Sequence, residues 1–117
     1  MAEGIGIKYL NNYKVTSAGT SPEPVNQYAI NSMKEIEIDI SNHKSKSIDM
    51  NEINNFDLVI TLCGDAKDKC VLVNTDKHIH WNIPDPAKYH GTKEEVKNEF
   101  SRIRNMIYNH IMILKKN

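Results

Sequence analysis

The segment Phe56–Leu62, with the sequence FDLVITL, decides the fold because it is an almost unbroken run of apolar and β-branched residues. Such a run is typical of a strand that is covered on both faces, as in a parallel sheet. A second strand is predicted at Lys77–Trp81, and helical patterns precede and follow the two strands. Strands separated by helices predict an α/β domain with right-handed crossover connections.

The N-terminal part of the chain predicts one short helix and one short strand. The helix is predicted at Ala2–Leu10, with Ile5, Ile7 and Leu10 directed partly inward. The strand is predicted at Tyr13–Ser17, before a turn that contains glycine.

Two further segments have the apolar spacing of helices that pack on a sheet. One begins near Val25, just after two prolines, and must end where Glu35–Ile40 alternates strictly as an extended segment does. The other is predicted at Lys93–Lys115. Their apolar positions are Val25, Ala29, Met33 and Ile36 in the first, and Val96, Phe100, Ile103, Ile107, Ile111 and Leu114 in the second.

The composition predicts one compact domain over residues 1–117, because a chain of this length supports a single core. Fifteen basic and fifteen acidic residues cancel, so no overall field favours nucleic acid or membrane phosphates as partners. The chain has neither an apolar run of bilayer length nor a signal-peptide pattern at its start. We therefore expect a cytoplasmic protein whose thiols meet a reducing environment.

Two cysteines, Cys63 and Cys70, lie in the polar segment that follows the first predicted strand. The carboxyl ends of strands are where α/β folds hold their functional groups. Lys67 and Lys69 lie close in sequence and favour the thiolate, which is the reactive form. The spacing is compatible with a redox pair, and equally with two unrelated thiols in a core and a loop.

Zinc binding is a second interpretation of the same region. Cys63, Cys70, His78 and His80 supply four ligands, the number that a structural zinc site uses. The spacing argues against it, because zinc ligands usually come in pairs two to four residues apart. The two histidines are expected on one face of a strand.

Asp85 stands between Pro84 and Pro86, which restrict the backbone on both sides of it. A carboxyl group fixed in this way can act as a general acid. A turn or a helix cap is the simpler interpretation of the same residues.

Several motifs together resemble the thioredoxin-coupled arsenate reductases, which share the fold of the low-molecular-weight tyrosine phosphatases. The resemblance implies a flavodoxin-like three-layer α/β sandwich with a parallel sheet, and it spans the chain from Met1 through the last helix. The motifs are MAEG at 1–4, SAG at 17–19, IDISNH at 38–43, DLVITLCGDA at 57–66, Cys70, HW at 80–81 and DPA at 85–87.

The resemblance implies a relay of three thiols in arsenic detoxification. A cysteine in an N-terminal Cys-x5-Arg loop attacks arsenate, a second thiol then releases arsenite, and a third closes a disulfide that thioredoxin reduces. Cys63 matches the second thiol and Cys70 the third. Asp85 matches the aspartate that protonates the departing oxygen.

The chain departs from this pattern at its start, where the first strand, the Cys-x5-Arg loop and the nucleophile are absent. The two arginines, Arg102 and Arg104, lie on the last helix. We therefore expect a truncated domain that does not turn over arsenate alone, and a noncatalytic remnant or protein-interaction module is the alternative.

No cofactor is expected apart from thioredoxin as external reductant. The resemblance implies a potassium site in some members, with Glu3 and Ser17 matching two ligands. Lys46 stands where a third ligand, an aspartate, is expected, and an ammonium group cannot bind a cation. A potassium site is therefore not favoured.

Overall fold

The computed structural model describes residues 1–18, 25–43, 52, 55–62 and 78–116. The described elements are helix α1 (Ala2–Tyr9), helix α2 (Gln27–Lys34), strand β1 (Val59–Leu62), strand β2 (His78–Trp81), a 3-10 helix (Pro86–Lys88) and helix α3 (Lys93–Lys116). The helices α1, α2 and α3 together are called the helical layer.

Strands β1 and β2 form a parallel pair in which Val59 lies opposite His78 and Leu62 lies opposite Trp81. The parallel sheet and both strand positions were predicted from the sequence, and they are confirmed. The predicted burial of β1 is wrong. Leu62 is 41% exposed and the other three residues of β1 are half-buried, because the described helices pack mainly on one another.

Two predictions for the N-terminal part are also wrong. The segment Tyr13–Ser17 forms no strand, because no described neighbour supplies a hydrogen-bonding ladder and Val15 instead packs against Gly6 of α1. Ile7 is 52% exposed, whereas Ile5 is fully buried. A single turn of helix presents only part of its surface to the core, so alternate residues cannot all point inward.

Helix α2 ends in a Schellman motif, in which the amide of Ile38 donates to the carbonyl of Met33 over 3.0 Å and that of Glu37 donates to Lys34 over 3.0 Å. Glu37 has φ of 62° at the left-handed position. The following residues alternate as predicted, with Ile38 and Ile40 buried although no strand forms.

Helix α3 begins with a capping box. The Thr92 hydroxyl accepts from the amide of Glu95, and the Glu95 carboxylate accepts from the amide of Thr92, both over 3.1 Å. The helix packs against α1, α2 and the 3-10 helix. Its predicted bounds and apolar stripe are confirmed.

The core lies mainly between the three helices and the extended segment that follows α2. Gly4 permits the closest approach, because a Cβ atom there would lie 2.8 Å from Ile40 Cγ2. An edge-to-face contact between Tyr9 and Tyr108, with centroids 5.3 Å apart, joins α1 to α3. The buried apolar residues are Ile5, Leu10, Ala29, Met33, Ile38, Ile40, Trp81, Ile83, Phe100, Ile103, Ile107 and Ile111.

Candidate functional site

The carboxyl ends of β1 and β2 lie side by side, because the two strands are parallel and in register to Leu62 and Trp81. Cys63 follows Leu62 directly in the sequence. Cys63 and Cys70 lie outside the described residues, so the geometry of the predicted thiol pair stays untested. The described part of the site consists of what the two strands and the chain after β2 hold in place.

Asp85 lies on the loop after β2 and is exposed. Its Oδ1 accepts a hydrogen bond from the amide of Ala87 over 2.9 Å, so Asp85 caps the 3-10 helix that begins at Pro86. The cap uses one of the two carboxyl oxygens. The capping role that the local sequence suggested is therefore present, and it fixes the carboxyl group that the resemblance singles out.

The loop that carries Asp85 is anchored on the core. Ile83 is buried, and its amide donates to the carbonyl of Trp81 over 3.0 Å. The Trp81 ring stacks on His110 of α3, with centroids 5.0 Å apart and planes 25° apart. These contacts attach the end of β2 to the helical layer three to four residues before Asp85.

Thr61 brings together the two histidines of β2. Its Oγ1 lies 2.8 Å from Nε2 of His78 and 2.8 Å from Nδ1 of His80. His80 lies opposite Thr61 in the sheet, and His78 lies two residues earlier on the same strand. The predicted placement of both histidines on one face of a strand is confirmed, and Thr61 is a partner that the sequence analysis missed. The register of the sheet is what reveals it.

A second polar cluster lies at the start of α1. The Ser17 hydroxyl donates a hydrogen bond to Oε2 of Glu3, and Nδ1 of His43 lies 3.7 Å from Oε1 of Glu3. Sequence reasoning paired Glu3 with Ser17 through the resemblance, and it missed the contact of His43 with this carboxylate.

The Glu3 cluster does not fit a potassium ion. Alkali cations are held by several oxygen atoms, whereas the described groups here offer one carboxylate and one hydroxyl that are bonded to each other. The imidazole of His43 occupies the other side of the carboxylate. Lys46 lies outside the described residues. The reaction proposed below therefore uses no cation.

None of the helices that the structure describes has the length and apolarity needed to cross a membrane. This finding concerns residues 1–18, 25–43, 52, 55–62 and 78–116 only.

Comparison with known proteins identifies the family. The family model named low molecular weight phosphotyrosine protein phosphatase matches residues 1–117. The chain belongs to this family, as the parallel sheet flanked by helices and the predicted fold class indicate.

Relatives in this family narrow the resemblance further. An arsenate reductase of Bacillus subtilis (strain 168) is 47% identical over 115 residues, which are 95% of this chain and 81% of that protein. An arsenate reductase of Oceanobacillus iheyensis is 44% identical over 120 residues, covering 99% of this chain and 85% of that protein. A solved structure described as an arsenate reductase in the reduced state has a TM-score of 0.69 and 26% identity, and the match covers 98% of this chain and 85% of that one. The family resemblance predicted from the motifs is thereby confirmed.

Proposed function

We propose that the chain serves in the reduction of arsenate to arsenite, and that it contributes the second and third thiols of a three-thiol relay, Cys63 and Cys70. The observation that carries this proposal is the 47% identity to a protein named arsenate reductase across 95% of the chain. The sequence position of Cys63 supports it, because Cys63 directly follows a parallel strand, where α/β folds hold their functional groups.

The relay consists of thiol exchange around one arsenic atom. A third thiolate forms a sulfur–arsenic(V) bond and displaces an arsenate oxygen as water. The Cys63 thiolate attacks that sulfur, the sulfur–arsenic bond breaks with its electron pair going to arsenic, and arsenite leaves. Cys70 then attacks Cys63, which forms the Cys63–Cys70 disulfide and returns the first thiol. Thioredoxin is the proposed reductant, and its dithiol supplies two electrons to reopen the disulfide.

Asp85 is proposed as the acid that protonates the departing arsenate oxygen. The hydrogen bond from Ala87 fixes the carboxyl group through one oxygen and leaves the other for proton transfer. The anchored turn from Trp81 to Ile83 supports this role, because a general acid must be held within hydrogen-bond reach of its substrate.

The 117 residues contain two cysteines, so we expect them to need a thiol from elsewhere to begin the reaction. We propose the cytoplasm as the compartment, since a relay that ends in a disulfide requires a cell compartment that reduces it again.

The relay is tested first as a disulfide. The purified chain is oxidised with diamide, its remaining thiols are alkylated, and mass spectrometry identifies the linked peptides. We expect an intramolecular Cys63–Cys70 disulfide that reduced thioredoxin opens. Cys70→Ser is the matched control, and it should give no intramolecular disulfide. A wild-type chain whose thiols stay separate, or whose disulfide thioredoxin does not reduce, would contradict the relay and favour a noncatalytic interaction module.

The need for a third thiol is tested by turnover. Arsenite formation with thioredoxin is measured for the 117 residues alone and for the same residues preceded by a strand and a Cys-x5-Arg loop from the Bacillus subtilis relative. We expect arsenite from the extended protein only. Arsenite formation by the 117 residues alone would overturn that expectation, and an inactive extended protein would count against the proposed function.

A further inference from the structure

The convergence of two imidazole rings on Thr61 is the feature that the proposed relay does not use. In a parallel pair, cross-strand partners share a face, and so do residues two apart on one strand. Thr61, His78 and His80 therefore share one face of the sheet, and both ring nitrogens lie 2.8 Å from the same oxygen. Two nitrogen atoms are thus held close to a common point.

The hydrogen bonds at this point fix how the two rings can be protonated. A threonine hydroxyl has a single proton to donate and two lone pairs that accept. At most one ring nitrogen accepts that proton, so the other must donate its own N–H to Thr61 Oγ1. The ring that accepts presents a lone pair toward the common point, and a neutral imidazole with a free lone pair is the form that binds metals.

We propose that His78 and His80 bind a divalent transition-metal ion of the type of Zn2+ or Cu2+, with Thr61 as the neighbouring hydroxyl. Imidazole nitrogen is a preferred ligand for these ions, at about 2.0–2.1 Å for zinc. The ion takes the place of the proton that now links one ring to the hydroxyl. His80 is exposed and His78 half-buried, so water completes the coordination.

The ligand set distinguishes this site from the four-ligand zinc site considered from the sequence. Within the described part of the chain no three His, Cys, Asp or Glu side chains form a cluster that could hold a metal. Two imidazoles without a carboxylate favour Cu2+ and Zn2+ over Mg2+ or Ca2+, which require oxygen ligands. The order of affinities should follow the general series, with Cu2+ bound more tightly than Zn2+. Neither cysteine is required.

The test is metal titration of the full chain carrying Cys63→Ser and Cys70→Ser, so that thiols cannot bind the ion. Zn2+ binding is followed by calorimetry, and Cu2+ binding by quenching of Trp81, the only tryptophan, which adjoins His80. We expect saturable binding of one ion, weakened about 10-fold or more by His80→Ala and about 10-fold by Thr61→Val, on the scale of losses seen at metal sites.

The matched control is His90→Ala, which removes an exposed histidine outside this cluster and should leave the affinity unchanged. Because His80 is exposed, its replacement empties no core, and circular dichroism of the variant checks that the fold is retained. Three results would overturn the proposal: no binding in the double-serine chain, binding that requires the cysteines, or an affinity that His80→Ala leaves unchanged. None of these results bears on the relay, which is measured separately through its disulfide.

Discussion

The helical layer and the two-stranded sheet use apolar residues in opposite ways. In the helical layer, Ile5, Met33 and Ile103 are at most 1% exposed. In the sheet, Leu62 and Ile79 remain 41% and 38% exposed although their strands are as apolar. The comparison teaches that among the described residues the stability lies in the helices, while the strands present functional groups at their surface and their ends.

The largest expected effect comes from breaking the helical layer. Ile103→Ala should lower the free energy of unfolding by about 2–5 kcal/mol, because it leaves a cavity in a packed core. Leu62→Ala is the matched change in the sheet, and its cost should be about 1 kcal/mol or less because the side chain is already partly in water. Denaturant unfolding at fixed pH measures both. Equal losses for the two variants would refute the division of stability between the regions.

A buried arginine provides a second, smaller test within the helical layer. Nη1 of Arg104 donates to the carbonyl oxygen of Ser32 over 2.7 Å and lies 3.5 Å from the Glu35 carboxylate, which joins α3 to α2. Arg104→Met should cost about 1–3 kcal/mol, because the buried carbonyl loses its partner.

Arg102 supplies the control for this test, since it pairs with Glu99 on the exposed side of α3. Arg102→Met should cost about 0–1 kcal/mol, as is usual for surface ion pairs. Both variants are compared with the wild type by chemical denaturation. An Arg102 variant that unfolds as easily as the Arg104 variant would show that helix propensity, and not the link to Ser32, accounts for the loss.

The smallest effect is expected at the edge of the helical layer, in the turn after Ile38. The Ser41 hydroxyl donates to Asp39 over 2.6 Å and its amide donates over 2.9 Å, and these bonds lower the pKa of Asp39 from its ordinary value of 3.8. The contribution to stability is therefore present above pH 3.8 and is lost as the pH falls through the lowered pKa of the folded state.

Ser41→Ala should raise the pKa of Asp39 toward its ordinary value, because the hydroxyl bond is the larger cause and the amide bond remains. Carboxyl carbon resonances followed by NMR during an acid titration measure the change. Ser41→Thr retains the hydroxyl and is the control that should titrate as the wild type does. An unchanged Asp39 titration in Ser41→Ala would exclude the hydroxyl as the cause.

Sequence periodicity succeeded where a pattern reports on one element alone. The stripe on α3 and the strand at His78–Trp81 follow from spacing that repeats with the period of the element, and both are present. The strand predicted at Tyr13–Ser17 failed because a strand depends on a partner that the segment itself does not contain. Burial of β1 failed for the same reason, since coverage depends on which elements pack over it.

The candidate site divides along the same line. The motifs around Cys63, Cys70 and Asp85 identified the family from the sequence, because the order of chemically distinctive residues survives without knowledge of their positions. The two thiols lie outside the described residues, so their roles rest on that resemblance.

The amino-acid sequence by itself determined the α/β class, the positions of the long helix and the two strands, and membership of the phosphatase-type family. Only the tertiary structure decided that Thr61 bridges His78 and His80, that His43 meets the Glu3 carboxylate, and that Arg104 reaches Ser32. The reason is physical: local periodicity is set by backbone geometry within one segment, whereas these contacts join residues 17 to 72 positions apart and arise only when separate elements pack together.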